Sequence, residues 1–127
     1  MQGGTLSGIG TIIGNLQNEA SILIGTDSIA GRLTVTGSYT QSSAGSLTIK
    51  VGGPNAGTDF DQLVVGGAAT LDGVLTITLI NGFTPASGTA YQVLTFASES
   101  GAFATLAGDG SLFTAAYHST DVTLTAN

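Results

Sequence analysis

This chain of 127 residues predicts an all-β fold of short parallel coils stacked as a β-solenoid. Three observations predict it. Between 63 and 79 every odd position is apolar or glycine (Leu63, Val65, Gly67, Ala69, Leu71, Gly73, Leu75, Ile77, Leu79), while even positions are mostly Thr, Asp or Gly. A period of two over that length is β-structure with one buried face, because successive side chains point to opposite sides. Second, Leu33-Thr34-Val35 and Gly45-Ser46-Leu47-Thr48-Ile49-Lys50-Val51 recur as Leu63-Val64-Val65 and Gly73-Val74-Leu75-Thr76-Ile77-Thr78-Leu79, offset by 30 and then 28 residues. A repeat that cannot bury its own face stacks on its neighbour. Third, no stretch shows helical apolar spacing, and Gly, Thr and Val disfavour helix throughout.

Taken in order, the chain opens with a shorter repeat. Gly4-Thr5-Leu6 aligns with Gly14-Asn15-Leu16, and Thr11-Ile12-Ile13 with Ser21-Ile22-Leu23, at an offset of ten. The run Gly52-Gly53-Pro54-Asn55-Ala56-Gly57 is a loop between the two long copies, and Asn81-Gly82 with Pro85 ends the second. Beyond it the pattern changes to strands around Tyr91–Phe96, Phe103–Leu106, Leu112–Tyr117 and Val122–Leu124, the last two flanking a hairpin turn at 118–121. Four of five Phe and two of three Tyr lie from Phe83 onward. An aromatic end on an aliphatic rod reads as a cap, because an uncovered terminal coil is an open sheet edge. The expectation is a single domain, 1–127, with coils over 4–81 and a β-rich C-terminal hairpin cap over 82–127. The alternative is an antiparallel β-sandwich, since Asp72-Gly73 is also a strong hairpin signal.

GTLSGIGTIIGNLQN, GRLTVTGSYTQ and FDQLVVGGAATLDGVLTITLI resemble the autotransporter-associated β-strand repeats of bacterial passenger domains and related surface proteins. The tail, from Gly101-Ala102-Phe103 to Tyr117 and Asp121-Val122-Thr123-Leu124, is similar to the end segment of such passengers. One departure is Leu23-Ile24-Gly25 where that family shows Ser-Pro-Gly, which leaves Ile24 free to extend a strand. The resemblance implies a right-handed parallel β-helix, an extracellular or cell-surface location, a structural or adhesive role and no catalytic residue. The start, Met1-Gln2-Gly3-Gly4, has neither the basic nor the apolar region of a signal peptide, as expected of a mature fragment.

Charge narrows the function classes. Net charge is −6 and the cations are Arg32 and Lys50, so no basic patch exists for nucleic acid or an anionic membrane. No span approaches the length of a membrane-crossing helix. The lack of Cys removes disulfides, thiolate metal sites and thiol nucleophiles.

Few constellations carry chemistry. Asp59 and Asp61 flank Phe60 beside the glycine-rich loop and, with Asn55 and loop carbonyls, could offer oxygens to calcium; the bland alternative is a solvated turn. On one strand such a pair cannot flank a glycosidic bond. His118, three residues before Asp121, lacks a nucleophile elbow and is better explained as an exposed hairpin histidine. Gly8-Ile9-Gly10 lacks the helix a phosphate loop needs. The pairs Thr34/Thr36 and Thr76/Thr78 resemble ordered-water arrays, but β-propensity accounts for them. Five apolar residues break the polar face, Ile13, Leu23, Val64, Val74 and Ile80, and either lie under loops or form a stripe for self-association. The strand edges of the first coil are a second candidate surface, expected to abut a neighbouring coil of a longer chain or to pair with a second chain. The expected role is a non-enzymatic rod, fibre or adhesin module. The alternative is a glycan-binding module with Tyr39 and Tyr91 as stacking residues, and a polysaccharide-degrading enzyme ranks last.

Overall fold

A computed structural model describes residues 5–25 and 30–127. Gly3 and Gly4, the expected start of the first coil, lie outside the described residues.

Among the described residues fifteen strands alternate with connections, and apolar alternation marks the longer ones. β1 (Thr5–Gly8), β2 (Gly10–Ile12) and β3 (Leu16–Asn18) are followed by β4 (Ser21–Ile24), β5 (Arg32–Val35) and β6 (Tyr39–Gln41). Next come β7 (Ser46–Val51), β8 (Gln62–Val65) and β9 (Ala68–Leu71), then β10 (Val74–Leu79), β11 (Ala90–Thr95) and β12 (Ser98–Gly101). β13 (Thr105–Gly108), a 3₁₀ turn at Asp109–Leu112, β14 (Phe113–Tyr117) and β15 (Asp121–Ala126) complete the chain. They form three sheets with strand orders β1-β4-β7-β10-β13, β14-β15-β11-β8-β5-β2 and β12-β9-β6-β3. The chain therefore visits first, second and third sheet in turn and repeats that circuit. All named pairings are parallel except those of β15 with β11 and β14. The molecule is all-β with parallel sheets, an arrangement compatible with a β-solenoid.

The longer repeat is the stacking register. Leu33 pairs with Leu63 and Val35 with Val65, while Leu47 pairs with Leu75 and Ile49 with Ile77. On the inner side of the first sheet Ile22, Leu47, Leu75 and Leu106 follow one another strand by strand. The first three are buried, and Leu106 is half-buried at the end of the row. Stacking like on like removes aliphatic surface from water in every layer. Thr48 and Thr76 pair on the outer face, where β-branched hydroxyls suit a half-exposed strand.

Three expectations are corrected. The ten-residue offset is not a stacking period: Thr11-Ile12 lie on β2 and Ser21-Ile22-Leu23 on β4, in different sheets. It spans two sides of the circuit, from β1 to β3 and from β2 to β4. Asp72-Gly73 is not a hairpin, since it joins β9 of the third sheet to β10 of the first. An antiparallel sandwich therefore does not describe the pairing. Gly73 rounds the corner at φ 68°, with Gly45 O and Ser42 O too close to admit a β-carbon. Finally, parallel stacking runs on past 81 through β11, β12 and β13. Among the named strands β15 alone runs antiparallel to its neighbours, β14 and β11, because the turn at 118–121 reverses the chain, with His118 N donating to Asp121 O at 2.8 Å. Ile24 does extend a strand, as the last residue of β4.

Candidate functional site

Polar and exposed groups gather at the corner between first and second sheets, on the second sheet, in the interior around Tyr39, and at the two ends of the stack.

At the corner, Lys50 occupies an even, outward-parity position on β7 and yet is buried, as is Asp61 just before β8. The long connection 52–60 folds back so that Asp61 meets Lys50, with Asp61 N donating to Lys50 O at 2.9 Å. Lys50 Nζ lies 2.7 Å from Asp61 Oδ2 and also donates to Ile24 O. The same Oδ2 accepts Lys50 N at 2.8 Å, and Oδ1 accepts Gly31 N at 2.8 Å. Burial pushes the Asp61 carboxyl above its ordinary value, against the opposing pull of the Lys50 side chain and both backbone donors. This overturns the calcium expectation for Asp59 and Asp61. Every Asp61 oxygen is committed to a donor and an ammonium occupies the cation position, while Asp59 Oδ2 accepts Asn55 N and Nδ2 within its own turn. Among the described residues no group of three or more acidic, His or Cys side chains gathers for a metal.

On the second sheet a polar ladder crosses the layers. Arg32 Nε donates to Gln62 Oε1 at 2.8 Å, Gln62 Nε2 to Gln92 Oε1 at 3.2 Å, and Gln92 Nε2 to Asp121 Oδ2 at 2.9 Å. Asp121 Oδ1 then meets His118 Nδ1 at 2.6 Å. The Gln92 hydrogen bond holds the Asp121 carboxyl below the usual range, aided by His118 and opposed by partial burial. His118 sits exposed beside that turn, as expected, and the ladder ties the hairpin to the parallel strands. Arg32 and Gln62 are register partners, whereas Gln92 reaches Gln62 from beside a bulge at Gln92–Leu94, which the 30-residue spacing alone does not show.

Tyr39 and Tyr91, the expected glycan-stacking pair, are both buried. Tyr39 OH accepts from Asn18 Nδ2 at 3.0 Å and donates to Gln41 Oε1 at 2.6 Å, in an interior network that also holds the Asp72 and Val74 carbonyls through Gln41 Nε2. Burial pushes its hydroxyl well above its ordinary value. Tyr91 stands edge-on to Phe60, Phe83 and Phe113 at 5.4, 6.3 and 6.1 Å, an aromatic cluster under the hairpin. Neither ring can stack on a sugar.

The five residues expected to form an apolar stripe do not form one. Ile80 is buried over Gly52, whose missing β-carbon makes room for it. Leu23 and Val74 are half-buried on different rows of the first sheet, Val64 is half-buried on the second, and Ile13 follows β2 alone. Ile13 is nonetheless 89% exposed, and Ile9, on the other side of β2, is 69% exposed. Both lie at the end where β1, β2 and β3 each stand last in their sheet. At the opposite end the hairpin covers the second sheet, and Glu99 of β12 occupies the inward row of Leu16, Tyr39 and Ala69. A groove of about 290 Å³ there is lined by Leu79, Pro85, Leu112 and Ala126 among others. No helix among the described residues is long and apolar enough to cross a membrane. Comparison with family models, with curated proteins and with solved structures returns no match.

Proposed function

We propose that this chain is a right-handed parallel β-solenoid closed by a C-terminal hairpin cap, serving as a structural or adhesive module of an exported bacterial surface protein or fibre. On this view its work is mechanical, and it associates with copies of itself through strand edges. The observation that carries the proposal is the circuit of three parallel ladders in which Leu33 lies on Leu63 and Leu47 on Leu75. An interior of that kind grows by adding layers and needs no ligand to complete it. The exterior suits an extended module, since hydroxyls rather than charges cover it: charged residues are 8% of the chain.

The test is sedimentation over a wide concentration range with negative-stain microscopy of the concentrated protein. Concentration-dependent oligomers that appear as end-joined rods or filaments are expected. Uniform monomers at every concentration would overturn the self-associating part of the proposal.

A further inference from the structure

The open end of the stack has a property that its neighbours lack. β2 spans Gly10–Ile12, centred on Thr11, and the two most exposed large apolar side chains among the described residues, Ile9 and Ile13, lie two positions to either side of that centre. Among the described residues the outer edge of β2 has no partner strand, and β5 occupies its other side. Inward Ile12 and Leu16 are only half-buried there. The devices that blunt an edge are missing: residues 1–18 contain no Asp, Glu, Lys, Arg, His or Pro.

We propose that a second copy of this chain docks on this end, with β2 antiparallel to the β2 of the partner about a two-fold axis at Thr11. The pairing sets Ile9 opposite the partner's Ile13, and Ile13 opposite the partner's Ile9, so one register packs the four side chains in two cross-strand pairs on the outer face. Such self-complementarity is what an isologous interface requires. A head-to-tail contact is disfavoured by the other end, which carries Glu99, Asp109 and Asp121 and is covered on one sheet by the hairpin. Glu99 is an inward-pointing charge on an edge strand, with Oε1 buried and unpartnered, and that blocks further layers. In a chain of net charge −6, contact is least opposed along β2, which is uncharged, with Glu19 beyond β3 the first charge that follows it. The proposal rests on the self-association described above and names the partner and the end it uses.

The chain has no cysteine, so the test is free of background. Ile9→Cys and Ile13→Cys chains are prepared separately, then oxidised alone and as a mixture. The expected result is a cross-linked dimer chiefly in the mixture, because position 9 faces position 13. The charged double variant, Ile9→Lys with Ile13→Lys, should sediment as a monomer with dimer affinity lowered at least about a hundredfold, while its circular dichroism stays that of the parent. If the parent oligomerises but the mixture cross-links no better than either single variant, the head-to-head register is wrong and self-association survives. If the parent is monomeric throughout, both fall.

Discussion

Removing the Lys50 ammonium gives the sharpest test of how this interior is held. In Lys50→Met the aliphatic stem stays and the charge goes, so Asp61 keeps Gly31 N and Lys50 N, each at 2.8 Å, and loses the donor at 2.7 Å. Ile24 O loses its donor as well. Breaking a buried pair from one side costs about 3–5 kcal/mol, because the remaining charge is buried without compensation. The two surviving backbone donors hold the cost near the lower figure. At about 2 kcal/mol per molar urea for the slope, a loss of about 3 kcal/mol moves the unfolding midpoint down by about 1.5 M. Asp61→Leu should cost more, since it strands the Lys50 ammonium and also orphans two buried N–H groups at about 1–3 kcal/mol each. Urea titrations followed by circular dichroism on the parent and both variants measure this. A Lys50→Met cost below about 1 kcal/mol, or an Asp61→Leu cost no greater than that of Lys50→Met, would refute the reasoning.

Other outcomes follow from the same packing. Leu75→Ala opens a cavity between Leu47 and Leu106 and should cost about 2–5 kcal/mol in the same titration. Gly73→Ala should cost about 2–4 kcal/mol, since its β-carbon would stand 2.3 Å from Gly45 O at φ 68°. Gly82→Ala, with φ 66° and open space around it, should cost only about 1 kcal/mol of backbone strain. Asp121 titrates lower folded than unfolded, so its contribution is complete above its ordinary pKa of 3.8 and is lost as pH falls through the folded value. Thermal melts of the parent should therefore fall more steeply with acid than those of Asp121→Asn. Asp61, raised by burial, weakens the fold as pH rises from 3.8 through its folded value, and is common to both proteins.

Much of the architecture was legible because a two-residue period and a shared repeat offset report the same thing, an inward row stacked on an inward row. Leu33 with Leu63 and Leu47 with Leu75 are register partners as the offsets of 30 and 28 require. The hairpin turn before Asp121 was legible for the same local reason, a polar tetrad between apolar strands. What sequence parity misses is what the corners do. Lys50 carries the parity of an outward residue, but the 52–60 connection folds over it and delivers Asp61, so two charges that look solvated are buried against each other. Tyr39 carried a surface expectation because nothing local shows that Asn18 and Gln41, 21 and two residues away, satisfy its hydroxyl. Ile80 breaks parity and is buried because Gly52 of the preceding layer leaves room for it. The open end was half legible: Ile13 was visible as a misplaced apolar residue, while Ile9 was hidden inside a weak glycine motif.

Parallel, in-register stacking of successive repeats is the foundation of the whole account, and a pair of cysteines measures it directly. Thr48 and Thr76 face outward as partners on adjoining strands, where neighbouring chains run about 4.8 Å apart, within reach of a disulfide. The double variant Thr48→Cys/Thr76→Cys should form an intramolecular bridge on mild oxidation and melt higher than its reduced form, whereas Thr48→Cys/Thr78→Cys should stay reduced. Bridging in the second pair and not the first would contradict the register, and bridging in neither would contradict the stack.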